Sequence, residues 1–124
     1  MAKKEVLNLP GGPRPYSSAI RAGDFVFCSG AIGHVDAKGN PIKGIEAQTK
    51  QCMENLKSTL KLGGASFDDV VKVTVFLTNA ANWAKMNEVY RTFFKKDMPA
   101  RSTMITGLVN ADMLLEIECV AYKP

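Results

Sequence analysis

Several features that would point directly to a function are missing from this chain of 124 residues. No apolar run approaches the roughly 20 residues that a membrane-spanning helix needs, and the first residues lack the apolar stretch of a secretory signal. There is a single histidine, His34, and no cluster of His, Cys, Asp and Glu with the spacing of a metal site. The Gly11-Gly12 pair lacks the pattern of a phosphate-binding loop. We therefore expect neither a membrane span nor a metal site.

Paired cysteines are also missing. Cys28, Cys52 and Cys119 are far apart and lie among apolar residues. An odd number of cysteines without C-x-x-C spacing argues against a disulfide framework or a structural zinc site. Free, buried thiols are typical of a reducing compartment, so we expect a cytoplasmic protein.

Positive charge is present but not concentrated. The formal net charge is +4, yet the lysines are dispersed apart from the pairs at 3–4 and 95–96. A solvated surface explains such a distribution as well as a nucleic-acid interface does. A single histidine also argues against the two-histidine acid–base scheme of some ribonucleases. Charge thus gives nucleic-acid binding weak support and leaves it open.

What the chain does contain is a regular succession of periodic segments in one domain, residues 1–124, with 46% hydrophobic and 23% charged residues. Alternating and β-branched stretches predict strands, and apolar residues three and four apart predict helices. The predicted order is β-β-β-α-β-α-β-β. The strands are predicted at 6–9, 17–21, 25–29, 70–77, 101–108 and 113–122, and the helices at 45–62 and 82–94.

This order predicts an α+β fold in which two helices cover one face of a mixed sheet. The opposite face would carry Leu114, Val120 and either Met104 or Ile105, which is too apolar to leave in water. Other copies of the chain are the simplest cover. We therefore expect a closed homo-oligomer with polar residues at the subunit boundary.

The last predicted strand holds two carboxylates among apolar residues. Glu116 and Glu118 alternate with buried positions and so share one strand face with apolar neighbours. A carboxylate in such a setting is costly without a partner, and Arg101 opens the preceding strand. If the last two strands pair as a hairpin, Arg101 and Thr103 lie on the face of the two glutamates.

The chemistry of such a surface has two interpretations. A guanidinium suits bidentate capture of a carboxylate ligand, and a glutamate beside apolar groups can hold or activate a water. A structural Arg–Glu ion pair explains the same residues and, from the residues alone, is the simpler interpretation. Whether Glu118 would take part stays open.

Four other residues are candidates for a ligand site. Tyr16 lies on a loop stiffened by flanking prolines, and Asn87 adjoins the apolar stripe of the second helix. Ser29-Gly30 ends a strand, where backbone N–H groups could meet a ligand. Packing also accounts for Tyr16 and a turn for Ser29-Gly30, whereas Asn87 is equally compatible with a solvent-edge position or a buried polar contact at an interface.

Taken together, the residues resemble a known family. Pro99-Ala100-Arg101-Ser102, Glu116-Ile117-Glu118, Pro15-Tyr16, Ser29-Gly30, and Asn87 ahead of Tyr90-Phe93-Phe94 resemble the Rid family, also called YjgF-type or endoribonuclease L-PSP proteins. The resemblance runs from about residue 13 to residue 121. It implies a chorismate-mutase-like fold assembled as a homotrimer, with active sites between subunits. It also implies hydrolysis of 2-iminobutanoate, 2-iminopropanoate and related imines or enamines to 2-keto acids and ammonia.

The resemblance implies roles for particular residues and no cofactor. Arg101 would grip the substrate carboxylate, and Glu116 would position and activate the attacking water. The residues that would line the pocket are Tyr16, Ser29, Gly30, Asn87 and Thr103.

The chain departs from the family pattern at a few positions. Thr103 stands where family deaminases usually have cysteine, Ala31 and Gly33 where they often have Gln and Pro, and Asn110 where they usually have Pro. These changes put the substrate range and rate in doubt rather than the fold. Two other functions stay open: an endoribonuclease or translation inhibitor, and a non-catalytic trimer that binds small carboxylates.

Overall fold

The computed structural model describes residues 3–124, and no helix in that range is long and apolar enough to cross a membrane. The strands form one six-stranded sheet in the order β1-β2-β3-β6-β4-β5, with β4 and β5 parallel and the other neighbours antiparallel. The predicted α+β class and element order are confirmed, although several strand ends differ by a few residues. The elements are β1 (Glu5–Leu7), β2 (Ala19–Ala22), β3 (Phe25–Ala31), α1 (Ile45–Leu62), β4 (Val70–Leu77), α2 (Trp83–Arg91), β5 (Ala100–Ile105) and β6 (Leu115–Tyr122).

The strongest periodic segments form where the sequence predicts them. Helix α1 and strand β4 both have their predicted limits. The stop after α1 is a glycine pair: the Gly63 N–H donates to the Leu60 carbonyl, and Gly64 adopts a φ of +76°, which favours glycine. Helix α2 is shorter than predicted and ends at Arg91.

One face of the sheet is covered by the helices. It presents the inward residues of β4 and β6, and α1 adds its own apolar stripe. The residues that are 3% exposed or less there include Val73, Val75, Ile117, Cys119, Cys52, Met53, Leu56 and Leu60.

The other face has no cover within the chain and is apolar, as expected. Phe25 and Phe27 face Tyr122 and Val120 across the β3–β6 pair, and all but Val120 are more than 40% exposed. Met104 lies on this face, and Ile105 does not. The expectation for Leu114 was wrong, because it precedes β6 and packs against the core.

The expected hairpin of the last two strands is also wrong. Strand β4 lies between β5 and β6, pairing in parallel with β5 and antiparallel with β6. The cause is the β4–α2–β5 connection: a crossover through a helix returns the chain beside β4 in the same direction. Strand β6 pairs with the other edge of β4 and, within the described residues, leaves the outer edge of β5 unpaired.

The loop after β3 gives a test of this packing. A Cβ on Gly33 would meet the α1 backbone at the Gln48 carbonyl and, at 2.6 Å, the Cys52 nitrogen. Backbone cannot yield as a flexible side chain can, so we expect Gly33→Ala to lower the free energy of unfolding by about 1–3 kcal/mol in urea denaturation. Gly12→Ala is the matched control, because a Cβ there meets nothing within 4 Å. Equal stability of the two variants would contradict the packing described.

Candidate active site

The register of the three central strands separates the two principal candidates. Arg101 lies opposite Val73, which lies opposite Cys119 on its other side. Paired residues point to the same face of a sheet, so Arg101 is on the helix-covered face. Glu116 lies opposite Phe76 and is therefore on the open face.

The same register corrects the expectation of one shared surface. Thr103 lies opposite Val75 and accompanies Arg101, whereas Glu118 lies opposite Thr74 and accompanies Glu116. The expected surface assumed that β5 and β6 pair directly. With β4 between them, the guanidinium and the hydroxyl are on one face and the two carboxylates are on the other.

Arg101 lines a pocket of about 250 Å³ together with Trp83, Asn87, Tyr90 and Pro99. Its guanidinium carbon is 4.8 Å from the centre of the Tyr90 ring, a cation–π contact. In residues 3–124 no carboxylate lies within ion-pair distance of Arg101; the ion pair in that range joins Lys123 and Asp69. The structural Arg–Glu pair is thus not formed within the chain.

Two buried polar atoms accompany this unpaired cation. Asn87 Oδ1 and the Tyr90 hydroxyl have no hydrogen-bond partner in the described part of the chain. Burial raises the pKa of Tyr90 to about 12, although the positive charge of Arg101 acts in the opposite direction. A neutral phenol, an amide and a free guanidinium together form an unsatisfied polar pocket, which we call the arginine half-site (Asn87, Tyr90, Arg101).

The sequence did not single out Tyr90 as a site residue. It was named among the residues of the family resemblance but not among those expected to line the pocket, and it is only 2% exposed. A signal was present nonetheless, because Trp83, Asn87 and Tyr90 are four and three residues apart and so lie along one helix face.

On the open face, a β-bulge shapes the surroundings of Glu116. Cys28 lies opposite Cys119 and Ala31 opposite Ile117, so two residues of β3, Ser29 and Gly30, face one residue of β6. The Ser29 hydroxyl donates to the Ser17 carbonyl at 2.6 Å, and the Ser29 N–H donates to the Ser18 carbonyl at 3.0 Å. These bonds fix the bulge.

Gly30 allows the Glu116 carboxylate to approach. A Cβ at this position would collide with the end of the Glu116 side chain. Ser29 and Gly30 also line a pocket of about 180 Å³ with Tyr16 and Ser18. Glu116 itself lines a separate cavity of about 400 Å³ with Phe76 and Thr106, and Gly30 is the residue that adjoins both. We call Glu116, Gly30 and the adjoining pocket residues Tyr16 and Ser29 the glutamate half-site.

The pKa of Glu116 is raised, first by burial and second by the negative charge of Glu118. Both effects disfavour the charged form. A carboxylate of raised pKa is a better proton acceptor than an ordinary surface glutamate. Among residues 3–124, no three His, Cys, Asp or Glu side chains are grouped so that they could hold a metal ion.

Comparison with known proteins identifies relatives of this chain. The family model described as Endoribonuclease L-PSP matches residues 8–123. The chain belongs to the Rid family. A RutC family protein of Pyrococcus horikoshii is 44% identical over 97% of this chain and 98% of its own length. The human 2-iminobutanoate/2-iminopropanoate deaminase is 34% identical over 92% of this chain and 84% of its own.

Solved structures of the family have the same fold. Escherichia coli TdcF with bound serine superposes with a TM-score of 0.88 at 31% identity, covering 97% of this chain and 99% of that one. The resemblance seen in the Rid-like residues is thereby confirmed at the level of family and fold.

The electrostatic coupling in the glutamate half-site can be tested without any ligand. Glu118→Gln removes a negative charge that disfavours ionisation of Glu116, so we expect the pKa of Glu116 to fall while burial still keeps it above an ordinary glutamate value. A ¹³C NMR titration of side-chain carboxyl groups measures the shift. Glu88→Gln, on an exposed part of α2, is the control and leaves it unchanged. An unchanged pKa in Glu118→Gln would show that the two carboxylates are not coupled.

Proposed function

We propose that this protein is an imine deaminase that hydrolyses 2-iminobutanoate, 2-iminopropanoate and related 2-imino acids to 2-keto acids and ammonia. The observation that carries the proposal is the Arg101 guanidinium, which lines a pocket without a carboxylate partner. A free guanidinium suits a planar carboxylate, the group common to these substrates. The names of the human and plant relatives support the same chemistry.

The two half-sites require a second copy of the chain. Arg101 and Glu116 are on opposite faces of one sheet and cannot reach the same small molecule from within one subunit. The uncovered apolar face supports association between copies. We therefore propose the closed homotrimer implied by the family resemblance, with each active site formed by the arginine half-site of one subunit and the glutamate half-site of its neighbour.

The proposed reaction needs orientation and one base. Arg101 holds the substrate carboxylate, and Glu116 takes a proton from a water whose oxygen adds to the imine carbon. Glu116 returns this proton to the nitrogen, which gives a carbinolamine. The carbinolamine hydroxyl then gives its proton, through Glu116, to the nitrogen as the C=O bond forms and the C–N bond breaks, and ammonia and a 2-keto acid leave. Because an imine is already electrophilic, positioning and general-base assistance supply much of the rate, and no cofactor takes part.

The remaining residues of the two half-sites would shape the pocket. Tyr16, Ser29 and Asn87 line its walls, and backbone groups at Gly30 can steady the substrate. Thr103 follows Arg101 on the same face and replaces the thiol usual in the family. Three free, buried cysteines support a reducing, cytoplasmic location.

Endoribonuclease activity is the second candidate, because the matching family model carries that name. The single histidine and the dispersed lysines give it less support than the arginine half-site gives deamination. Salt separates the two, since RNA binding through phosphates weakens steeply as salt rises.

Ammonia release from freshly generated 2-iminobutanoate tests the proposal directly. We expect wild type to accelerate hydrolysis, and Arg101→Ala and Glu116→Ala each to lower kcat/KM by about 100-fold or more while the oligomer stays intact. Glu88→Ala is the control for loss of a surface carboxylate and retains full activity. If the wild-type protein releases ammonia no faster than buffer does, the deaminase proposal is rejected. RNA cleavage and non-catalytic binding of 2-keto acids would then be measured.

Mixed oligomers test the composite site. When Arg101→Ala and Glu116→Ala chains with different tags are co-expressed in equal amounts, a cleft between an intact arginine and an intact glutamate is expected in about a quarter of random pairings. Activity should therefore return to about that fraction of wild type, although each variant alone is inactive. Capture through both tags confirms that mixed oligomers have formed. No recovery in such oligomers would mean that both residues serve the same site from one chain.

A further inference from the structure

Arg101 poses a physical problem that the proposed function leaves unanswered. A long, flexible cation must point into a pocket, yet no carboxylate of the described chain lies within ion-pair distance of it. A carboxylate partner would hold the guanidinium in place, but it would also neutralise the charge and occupy the donors that a ligand needs. Something else must restrict the side chain.

The Tyr90 ring is placed to do this. The guanidinium carbon lies 4.8 Å from the ring centre. A cation over an aromatic face is attracted to the π-electrons and uses none of its in-plane N–H groups. The contact with the ring therefore leaves the N–H fork of the guanidinium available to a bidentate carboxylate.

The ring itself is rigid. Tyr90 is 2% exposed, and its ring centre lies 5.0 Å from that of Phe94, which lies 5.4 Å from that of Phe67. This cluster of aromatic contacts holds Tyr90 in place on α2. Pairing of β5 with β4 holds the backbone of Arg101 in place. Both ends of the contact are held by the core.

We propose that Tyr90 is a positioning residue, which holds the Arg101 guanidinium over its ring so that the charge stays unneutralised and the N–H fork stays open to a carboxylate. The inference rests on the proposed function, because it assumes that Arg101 binds the substrate carboxylate. It assigns the ring to binding and not to the proton transfer at Glu116. Loss of the Tyr90 ring would let the Arg101 side chain adopt more conformations. Substrate binding is then weaker, while kcat is unchanged.

The experiment compares variants that keep or remove the ring. Tyr90→Phe keeps the ring and removes a hydroxyl that has no partner, whereas Tyr90→Met fills the space without a ring. Tyr90→Leu is a second ring-free variant in case Tyr90→Met fails to fold. Phe67→Leu is the matched control. It removes the contact between the Phe67 and Phe94 rings and leaves the contact between Tyr90 and Arg101 unchanged.

Three quantities are measured: the Kd of the stable product 2-oxobutanoate by calorimetry, and the KM and kcat for 2-iminobutanoate. We expect Tyr90→Met to raise Kd and KM about tenfold with kcat within about twofold of wild type, and Tyr90→Phe, which keeps the ring, to restore most of the lost affinity. Phe67→Leu should lower the melting temperature and leave Kd within about twofold of wild type.

Each contrary result has a distinct meaning. If wild type binds 2-oxobutanoate, Arg101→Ala does not, and Tyr90→Met binds as wild type does, the positioning role is overturned and the proposed function stands. Tyr90→Phe binding as weakly as Tyr90→Met would also overturn it, because the hydroxyl and not the ring would then matter. If wild type binds no 2-oxobutanoate, the proposed function fails and this inference fails with it.

Discussion

The place of β4 between β5 and β6 is the constraint on which the rest of the site depends. Hydrogen bonds along both edges of β4 fix the registers of β5 and β6. Because side chains alternate along a strand, the register determines on which face of the sheet each side chain lies. Arg101 must face the helices, and Glu116 must face away from them. In the proposed assembly each chain therefore contributes one half to each of two sites, and the uncovered apolar face is the surface through which copies would associate.

Separation of the two residues also preserves their reactivity. An arginine and a glutamate in direct contact within one subunit would satisfy each other, lowering the carboxylate's pKa and filling the guanidinium's donors. Here burial and Glu118 raise the pKa of Glu116, and the neutral ring of Tyr90 accompanies Arg101. Within one chain the sheet topology thus keeps the two groups from pairing. In the proposed assembly they would approach each other only across a subunit boundary, on either side of the bound substrate.

Most of the fold could be predicted from the sequence because its signals are local. Helix α1 shows its apolar period and its glycine stop within one continuous segment, and β4 shows its β-branched residues in the same way. Strand pairing is not local. Apolar and polar residues alternate in β6 in the same way whether its neighbour is β5 or β4. The sequence pattern therefore could not reveal that β5 and β6 form no hairpin, nor that Arg101 lies on the opposite face of the sheet from Glu116. Leu114 was misplaced for a related reason, since alternation was extended beyond the point where β6 begins.

Some features of the site could be predicted from local sequence, and others depend on how distant segments pair. The residue types of Arg101 and Glu116 suggested their chemistry, but the bulge at Ser29-Gly30 has no signature in the alternation of β3 alone, because it is defined by the partner strand. Tyr90 shows a further limit: its place on the apolar face of α2 indicates packing in the core and gives no sign of a role in the site. The two are compatible because an aromatic ring has two faces and an edge, and packing against Phe94 leaves a face for the guanidinium. Burial is in fact what makes the ring useful here, since a mobile surface tyrosine would restrict the arginine very little.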